Sequence, residues 1–173
     1  MKKSTQYLAA ALLILLAAFS RLLPHPLNFT PVMAIALFGG MYFDKRFAVV
    51  IPFAALVLSD LFLGFYGEIF WVYGSFIAVA AIGMWLKNHK SVSMIAGTTL
   101  AGSILFFAVT NFGVWLSGYQ TYPKTLEGLL ACYTAAIPFF RNSLAGDFFY
   151  VAVLFGIFEL SLRFSQKRVV VKA

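Results

Sequence analysis

Two side chains in the second half of the chain could hold a flat polar solute. Asn111 carries an amide that can donate and accept hydrogen bonds, and Trp115, four residues later, carries an indole that can stack on an aromatic ligand. Residues four apart lie on one face of a helix. The pair therefore predicts a binding surface for an aromatic or heterocyclic solute. The alternative is that Trp115 anchors a helix end at a membrane interface.

The charged side chains inside or beside apolar runs include Arg21, Asp60, Arg141 and Asp147. An ionisable group in a membrane helix costs about 2.5 to 3.5 kcal/mol near the centre, so such groups usually face a cavity or one another. Arg141 and Asp147 are about 240° apart around a helix and should not pair within it. Asp60 is expected to pair with Arg21 or Arg141, as a buried ion pair or, alternatively, to carry a proton in a carrier.

The segment from Pro24 to Pro31, with the sequence PHPLNFTP, is the most specific local feature. Its prolines stiffen the chain, and Asn28 or Thr30 is expected to cap the next helix, with Pro31 at its first position. The positive end of that helix could receive an anionic or carbonyl group of a ligand. The alternative is an ordinary rigid turn, and His25 adds little to this choice because a lone loop histidine is usually solvated.

These residues belong to a chain of 173 residues that is 62% hydrophobic and 11% charged. A soluble core of this size cannot hide so much apolar surface, whereas lipid can solvate it. The sequence therefore predicts a single all-α membrane domain over residues 1–173, with six transmembrane helices. The apolar segments that define them lie at about 7–23, 29–43, 47–66, 69–86, 91–118 and 141–164.

The stretch from Leu126 to Phe140 repeats apolar residues at helical spacing on one face. Because Pro138 can break or kink a helix, this stretch is expected to form an interfacial helix across the outer mouth, before the sixth crossing. The alternative is a simple extension of the last helix. Residues 165–173 are expected to form a mobile cytoplasmic tail.

The basic residues predict the orientation. Ten of the 13 fall on one side of the predicted membrane and three on the other, so the positive-inside rule places both termini in the cytoplasm of a multi-pass inner-membrane protein. The first apolar segment is expected to be retained as a helix and not removed as a signal peptide. The ten are Lys2, Lys3, Lys45, Arg46, Lys87, Lys90, Arg163, Lys167, Arg168 and Lys172, and the three are Arg21, Lys124 and Arg141.

With this orientation, most of the polar residues of the apolar segments lie toward the outside. Their cost in lipid predicts an outward-facing polar cavity that binds a small-molecule solute. The residues predicted to line this cavity are Arg21, His25, Asn28, Thr30, Asp60, Asn111, Trp115, Arg141, Asn142 and Asp147.

Other function classes fit less well. The basic residues form no stripe with interleaved aromatics, so no nucleic-acid partner is predicted. There is no P-loop, and Cys132 is the single cysteine, so no cofactor or metal is predicted. His25 and His89 fall on opposite sides of the predicted membrane, which disfavours an intramembrane enzyme.

The run from Arg21 to Pro31, followed by Ala34 to Gly40, resembles a bacterial family of uncharacterised membrane transport proteins that share the motif LPHPxNFTP. Two later stretches agree with that family, from Thr110 to Trp115 and from Gly128 to Phe140. The resemblance covers most of the chain, and it implies transport and not catalysis.

More distantly, the size and the six-helix layout resemble the substrate-binding S components of energy-coupling factor transporters. That resemblance implies capture of a small micronutrient from the outer side, with a transmembrane coupling subunit and cytoplasmic ATPases as partners. It also implies that small residues of the first helix, Ala9 to Ala11 or Ala17 and Ala18, contact the coupling subunit. The alternative is a self-contained proton-coupled carrier or an oligomeric channel, in which Asp60 or Asp147 responds to protons.

Overall fold

The structure is a computed structural model that describes the backbone of residues 3–117 and 122–170. Side chains are described for residue 8, residues 11–117 and residues 122–160. Six helices account for the regular structure of these residues, which confirms the all-α prediction. They are α1 (Lys3–Leu22), α2 (Val32–Tyr42), α3 (Lys45–Leu63), α4 (Ile69–Leu86), α5 (Val92–Ser117) and α6 (Leu126–Val170).

Four of the six helices are long and apolar enough to cross a membrane. They are α3, α4, α5 and the Leu126–Leu160 part of α6, and this set is what an integral membrane protein requires. The apolar parts of α1 and α2 are shorter, at Ala11–Leu22 and Val32–Tyr42. At about 1.5 Å per residue, α2 is roughly 16 Å long, about half the thickness of a hydrocarbon core.

The short helix α2 forms the centre of the bundle. Every side chain from Val32 to Met41 is at least 95% buried, apart from its two glycines, which are also buried. Helices α3, α4, α5 and α6 pack around it, while α1 packs mainly on α3. Helix α4 approaches closest because Gly40 and Gly83 lack side chains at the crossing: a Cβ on Gly40 would lie 2.5 Å from the Ala80 carbonyl oxygen.

The expected interfacial helix is not a separate element. Residues 126–140 are the first part of α6, which continues through Pro138 to Val170, so the alternative of an extended last helix is correct. Contacts with α5 on both sides of the proline explain this: the Tyr133 hydroxyl donates to the Ala108 carbonyl at 2.6 Å, and Phe140 packs on Phe107. These contacts align the segment along α5 and not across the mouth.

The expected tail also begins inside α6. The backbone is helical through Val170, so most of residues 165–173 continue the helix, and residues 171–173 lie outside the described part of the chain. The apolar sequence weakens after Phe164, but a helix needs no buried face to continue from one already formed, because elongation adds a hydrogen bond for each residue fixed.

One polar contact ties α2 to α6 at the end of the bundle that carries the loop between α4 and α5. The Tyr42 hydroxyl donates a hydrogen bond to Glu159, and the Lys90 ammonium lies 4.7 Å from the centre of the Tyr42 ring. Tyr42 therefore links three elements at the point where α2 ends.

Replacing Tyr42 with phenylalanine keeps the ring and removes this hydrogen bond. We expect a loss of about 1 kcal/mol, because the carboxylate acceptor strengthens the bond while the half-buried site lets water replace part of it. That loss should lower the thermal unfolding midpoint of the purified protein by about 2 to 4 °C. The matched control is Tyr150→Phe, because the Tyr150 hydroxyl makes no hydrogen bond to the described residues while its ring packs on Phe29. Equal midpoints for the two variants would show that the Tyr42 bond adds nothing.

Candidate functional site

The main cavity lies at the end of the bundle where α1, α3 and α5 finish and α4 begins. Its volume is about 580 Å³, and all six helices contribute to its wall. Pockets that bind small molecules usually enclose about 300 to 1,000 Å³, so the size suits a small solute. Four basic residues lie at the opposite end of the bundle: Lys45 and Arg46 begin α3, and Lys87 and Lys90 lie in the connection between α4 and α5.

The non-helical residues between α1 and α2 form one wall of the cavity. Leu23, Pro24, His25, Leu27, Asn28 and Thr30 all line it. The Phe29 N–H donates to the Pro26 carbonyl at 3.0 Å, and Asn28 has a φ of 63°, a left-handed conformation that asparagine tolerates better than most residues. Phe29 also packs on Gly146, where a Cβ would lie 3.1 Å from the Phe29 Cα. This packing fixes the wall against α6.

The start of α2 differs from the prediction, because neither Asn28 nor Thr30 caps it. Pro31 occupies the N-cap position, and no side chain bonds to the first turn. The reason is that both polar side chains line the cavity. Val32 and Met33 line it too, so the uncapped N-terminal turn of α2 borders the space where a solute could lie.

Asp60 pairs with Arg21 and not with Arg141, the two partners that the sequence left open. The Arg21 Nη2 atom lies 2.8 Å from Asp60 Oδ1, and Nη1 donates to the Ser59 hydroxyl at 2.6 Å. Tyr73 donates to Asp60 Oδ2 at 2.8 Å. Asp60 is fully buried behind the wall, whereas Arg21 lines the cavity with 15% of its side chain exposed. Asp60 therefore positions Arg21 and does not itself line the cavity.

Tyr66 lies in the connection between α3 and α4 and lines the same cavity. Burial raises the pKa of its hydroxyl above the ordinary value, and the nearby Asp60 carboxylate raises it further, while Arg21 lowers it. The hydroxyl is therefore protonated at neutral pH and can donate a hydrogen bond.

Asp147 lines the cavity from α6 and is 3% exposed. Its Oδ2 atom accepts a hydrogen bond of 2.7 Å from Ser103 on α5. Among the described residues, no cation pairs with Asp147, whereas Asp60 has Arg21. The cavity thus has a buried carboxyl group on one wall and a paired guanidinium on another.

The predicted pair of Asn111 and Trp115 does not form one surface. Asn111 lines a smaller neighbouring cavity of about 140 Å³ and donates to the Phe107 carbonyl of its own helix at 2.8 Å. Trp115 lines neither cavity; its indole N–H donates to the Pro123 carbonyl at 2.8 Å, and Lys124 lies over its ring. Trp115 therefore contacts the end of the connection between α5 and α6 and not a cavity.

Arg141 and Asn142 are exposed and line neither cavity. The four other predicted residues, His25, Asn28, Thr30 and Asp147, line the main cavity with Arg21. Ser143 also lines it, but His25 Nδ1 lies 2.6 Å from the Leu23 carbonyl and makes no hydrogen bond to Ser143. The described residues contain no group of three or more His, Cys, Asp or Glu side chains that could hold a metal ion.

Sequence reasoning missed three hydroxyl groups of the main cavity, on Tyr66, Thr110 and Ser143. Helical spacing carried a signal for one of them, because Ser143 stands four residues before Asp147 and shares its helix face. Helical spacing could not have predicted the hydrogen bond from Arg21 to Ser59 or the one from Tyr73 to Asp60. Both contacts depend on how α1, α3 and α4 pack.

The apolar helices, together with the cavity at one end of their bundle, define an integral membrane protein with a candidate ligand-binding site. The chain belongs to a family described as a family of unknown function (DUF6580), whose model matches residues 1–170. No curated protein and no solved structure matches the chain.

Proposed function

We propose that this protein is a membrane solute-binding and transport protein that captures a small solute in the main cavity from the outer side. The observation that carries the proposal is the buried Asp147 carboxyl group in the wall of a cavity of about 580 Å³. A buried ionisable group is costly in a membrane protein, and where it occurs it usually marks a substrate or ion pathway. A purely structural role would leave the position of this group on a cavity wall unexplained.

The proposed topology has six crossings, with both termini in the cytoplasm of the inner membrane. Helix α2 is too short to cross alone, but the non-helical residues 23–31 precede it and can complete the second crossing. Non-helical backbone is tolerated at membrane depth where it lines a cavity, and this segment does line one. The positive-inside rule supports the orientation, because the opposite end of the bundle carries Lys45 and Arg46 at the start of α3 and Lys87 and Lys90 after α4.

The proposed mechanism is capture without catalysis in this chain. The solute enters from outside, the walls of Val72, Phe76 and Phe106 bury its apolar part, and the hydroxyl groups of Thr110 and Ser143 satisfy its polar atoms. The distant resemblance to energy-coupling factor S components suggests a transmembrane coupling subunit and cytoplasmic ATPases as partners. Ala17 and Ala18 are buried in the bundle, so they are not free to contact such a subunit. Ala11 is exposed, and the side chains of Ala9 and Ala10 lie outside the described ones.

The test is native mass spectrometry on the protein extracted gently from its host membrane. We expect a bound small molecule in the unmodified protein, and a reduction of at least about tenfold in Ser143→Phe, equivalent to about 1.4 kcal/mol of binding free energy. The matched control is Ala145→Phe, which adds the same ring two residues away on an exposed side of α6. A solute that stays bound in Ser143→Phe, or the absence of any solute from the unmodified protein, would contradict the proposal.

A self-contained carrier is the second candidate function, because a buried carboxyl group such as Asp147 can also carry a proton. The same spectra separate the two forms of transport. Companion subunits in the complex support the S-component form, whereas a lone homo-oligomer supports the self-contained carrier or channel.

A further inference from the structure

The two buried aspartates of the bundle have different surroundings. Asp60 accepts a hydrogen bond from Tyr73 and pairs with Arg21. Asp147 accepts one hydrogen bond, from the neutral hydroxyl of Ser103, and its second oxygen accepts none from the described residues. A carboxylate has about four acceptor positions, so most of those on Asp147 are left for a partner from outside the chain.

The charges on the cavity wall also differ in whether they are paired: Arg21 has a counter-charge and Asp147 has none among the described residues. The titratable side chains that line the main cavity are Arg21, His25, Tyr66 and Asp147. Arg21 is already neutralised by Asp60, from which it is separated by 2.8 Å. No ion pair to Asp147 exists within the described chain, so its carboxylate lacks a counter-charge at the place where a solute would lie.

We propose that the solute carries a protonated amine and that Asp147 is its counter-charge. This inference rests on the proposed function, because the amine must reach the cavity from the outer side. An ammonium group supplies both a positive charge and three hydrogen-bond donors, which is what the free positions of a buried carboxylate require. Ser103 holds one carboxylate oxygen and leaves the other for the amine.

The rest of the cavity defines the remainder of the solute. Phe76 and Phe106 lie side by side on α4 and α5, with ring centres 5.0 Å apart, and both line the cavity together with Val72. These walls suit an apolar or aromatic body, so the ligand class is a small amphipathic amine. If Asp147 instead held a proton, the carboxyl group would be neutral and the cavity would show no preference for cations.

The experiment measures the charge preference of the cavity through a cysteine placed beside Asp147. Ser143 lines the cavity four residues before Asp147 on the same helix, so Ser143→Cys places a thiol within the site. Cys132→Ala serves as the background because Cys132 is the single native cysteine. Full-length protein in membrane vesicles is treated with three methanethiosulfonate reagents, which carry a trimethylammonium group, a sulfonate group or a neutral methyl group. Each rate is divided by that reagent's rate with a free thiol in solution.

We expect the corrected modification rate of the cationic reagent to exceed that of the anionic reagent by at least about tenfold. The reason is that an unpaired carboxylate in a narrow cavity concentrates cations. Adding Asp147→Asn should bring the ratio close to one, and adding Asp147→Glu should preserve most of it. An unchanged rate with the neutral reagent shows that the cavity is intact in both variants.

The outcomes separate this inference from the proposed function. If the neutral reagent fails to modify the thiol introduced by Ser143→Cys, the cavity is closed to the outside and the proposed function fails. If the neutral reagent reacts but no cation preference appears, or the preference survives Asp147→Asn, the amine inference is overturned while the open cavity stands. If Asp147→Asn unfolds, loss of the preference in Asp147→Glu overturns the inference as well.

Discussion

Replacing Arg21 with methionine is expected to destabilise the protein by about 3 to 5 kcal/mol, the largest effect we predict for a single side chain. The substitution removes the ion pair and the hydrogen bond to Ser59, and it leaves the Asp60 carboxylate fully buried without a counter-charge. The thermal unfolding midpoint of the purified protein should fall by roughly 6 to 20 °C.

The cause can be separated from a simple loss of packing by a second substitution. Asp60→Asn in the Arg21→Met background removes the stranded charge, keeps the shape of the side chain and can still accept from Tyr73, so it should restore at least half of the lost stability. Arg141→Met is the matched control, because Arg141 is exposed and pairs with no acidic group of the described residues; its effect should stay within about 0.5 kcal/mol. If the double variant is no more stable than Arg21→Met, burial of an unpaired charge is not what destabilises the single variant.

Gly83→Ala is the second prediction with a large effect, and we expect a loss of about 3 kcal/mol or more. An added Cβ at Gly83 would lie 2.5 Å from the Leu37 carbonyl oxygen and 3.1 Å from the Gly40 Cα. These atoms belong to the backbone of α2 and cannot turn away, so the two helices must separate. The measurement is again the thermal unfolding midpoint in detergent, followed by cross-linking yield between cysteines placed on α2 and α4.

Gly74→Ala is a control on the same helix, and its expected effect on stability is neutral or slightly favourable. Gly74 is exposed, and no atom lies within 4 Å of the position that its Cβ would take. Alanine is a better helix former than glycine by about 0.8 to 1 kcal/mol, so this variant should be equally stable or slightly more stable. Comparable losses at Gly74 and Gly83 would mean that the glycines act through helix flexibility and not through close packing.

The sequence predicted the helical architecture because lipid solvation requires long apolar runs that are visible without tertiary information. The predicted fourth segment, 69–86, has the bounds of α4, and the predicted fifth, 91–118, differs from α5 by one residue at each end. The prediction of an interfacial helix was wrong because the effect of Pro138 depends on the contacts around it. Tyr133 and Phe140 hold both sides of the proline against α5.

The cavity was predicted less completely because its walls depend on contacts between distant residues. The cost of burying charge drew attention to Arg21 and Asp147, and the structure places both on the wall of one cavity. It could not identify Ser103, 44 residues from Asp147, as the hydrogen-bond donor. It also could not place Trp115, since helical spacing fixes which residues share a face but not what that face meets.

The central position of α2 has a consequence for how the protein is made. Its neighbours α3, α4, α5 and α6 all follow it in the chain, so the ribosome releases α2 before any of these helices exists to cover it. Its short length also makes it a poor candidate for stable insertion into lipid alone. We therefore expect α2 to stay at the insertion machinery until α4 and α6 have been synthesised, and we expect chains truncated before residue 126 to be degraded.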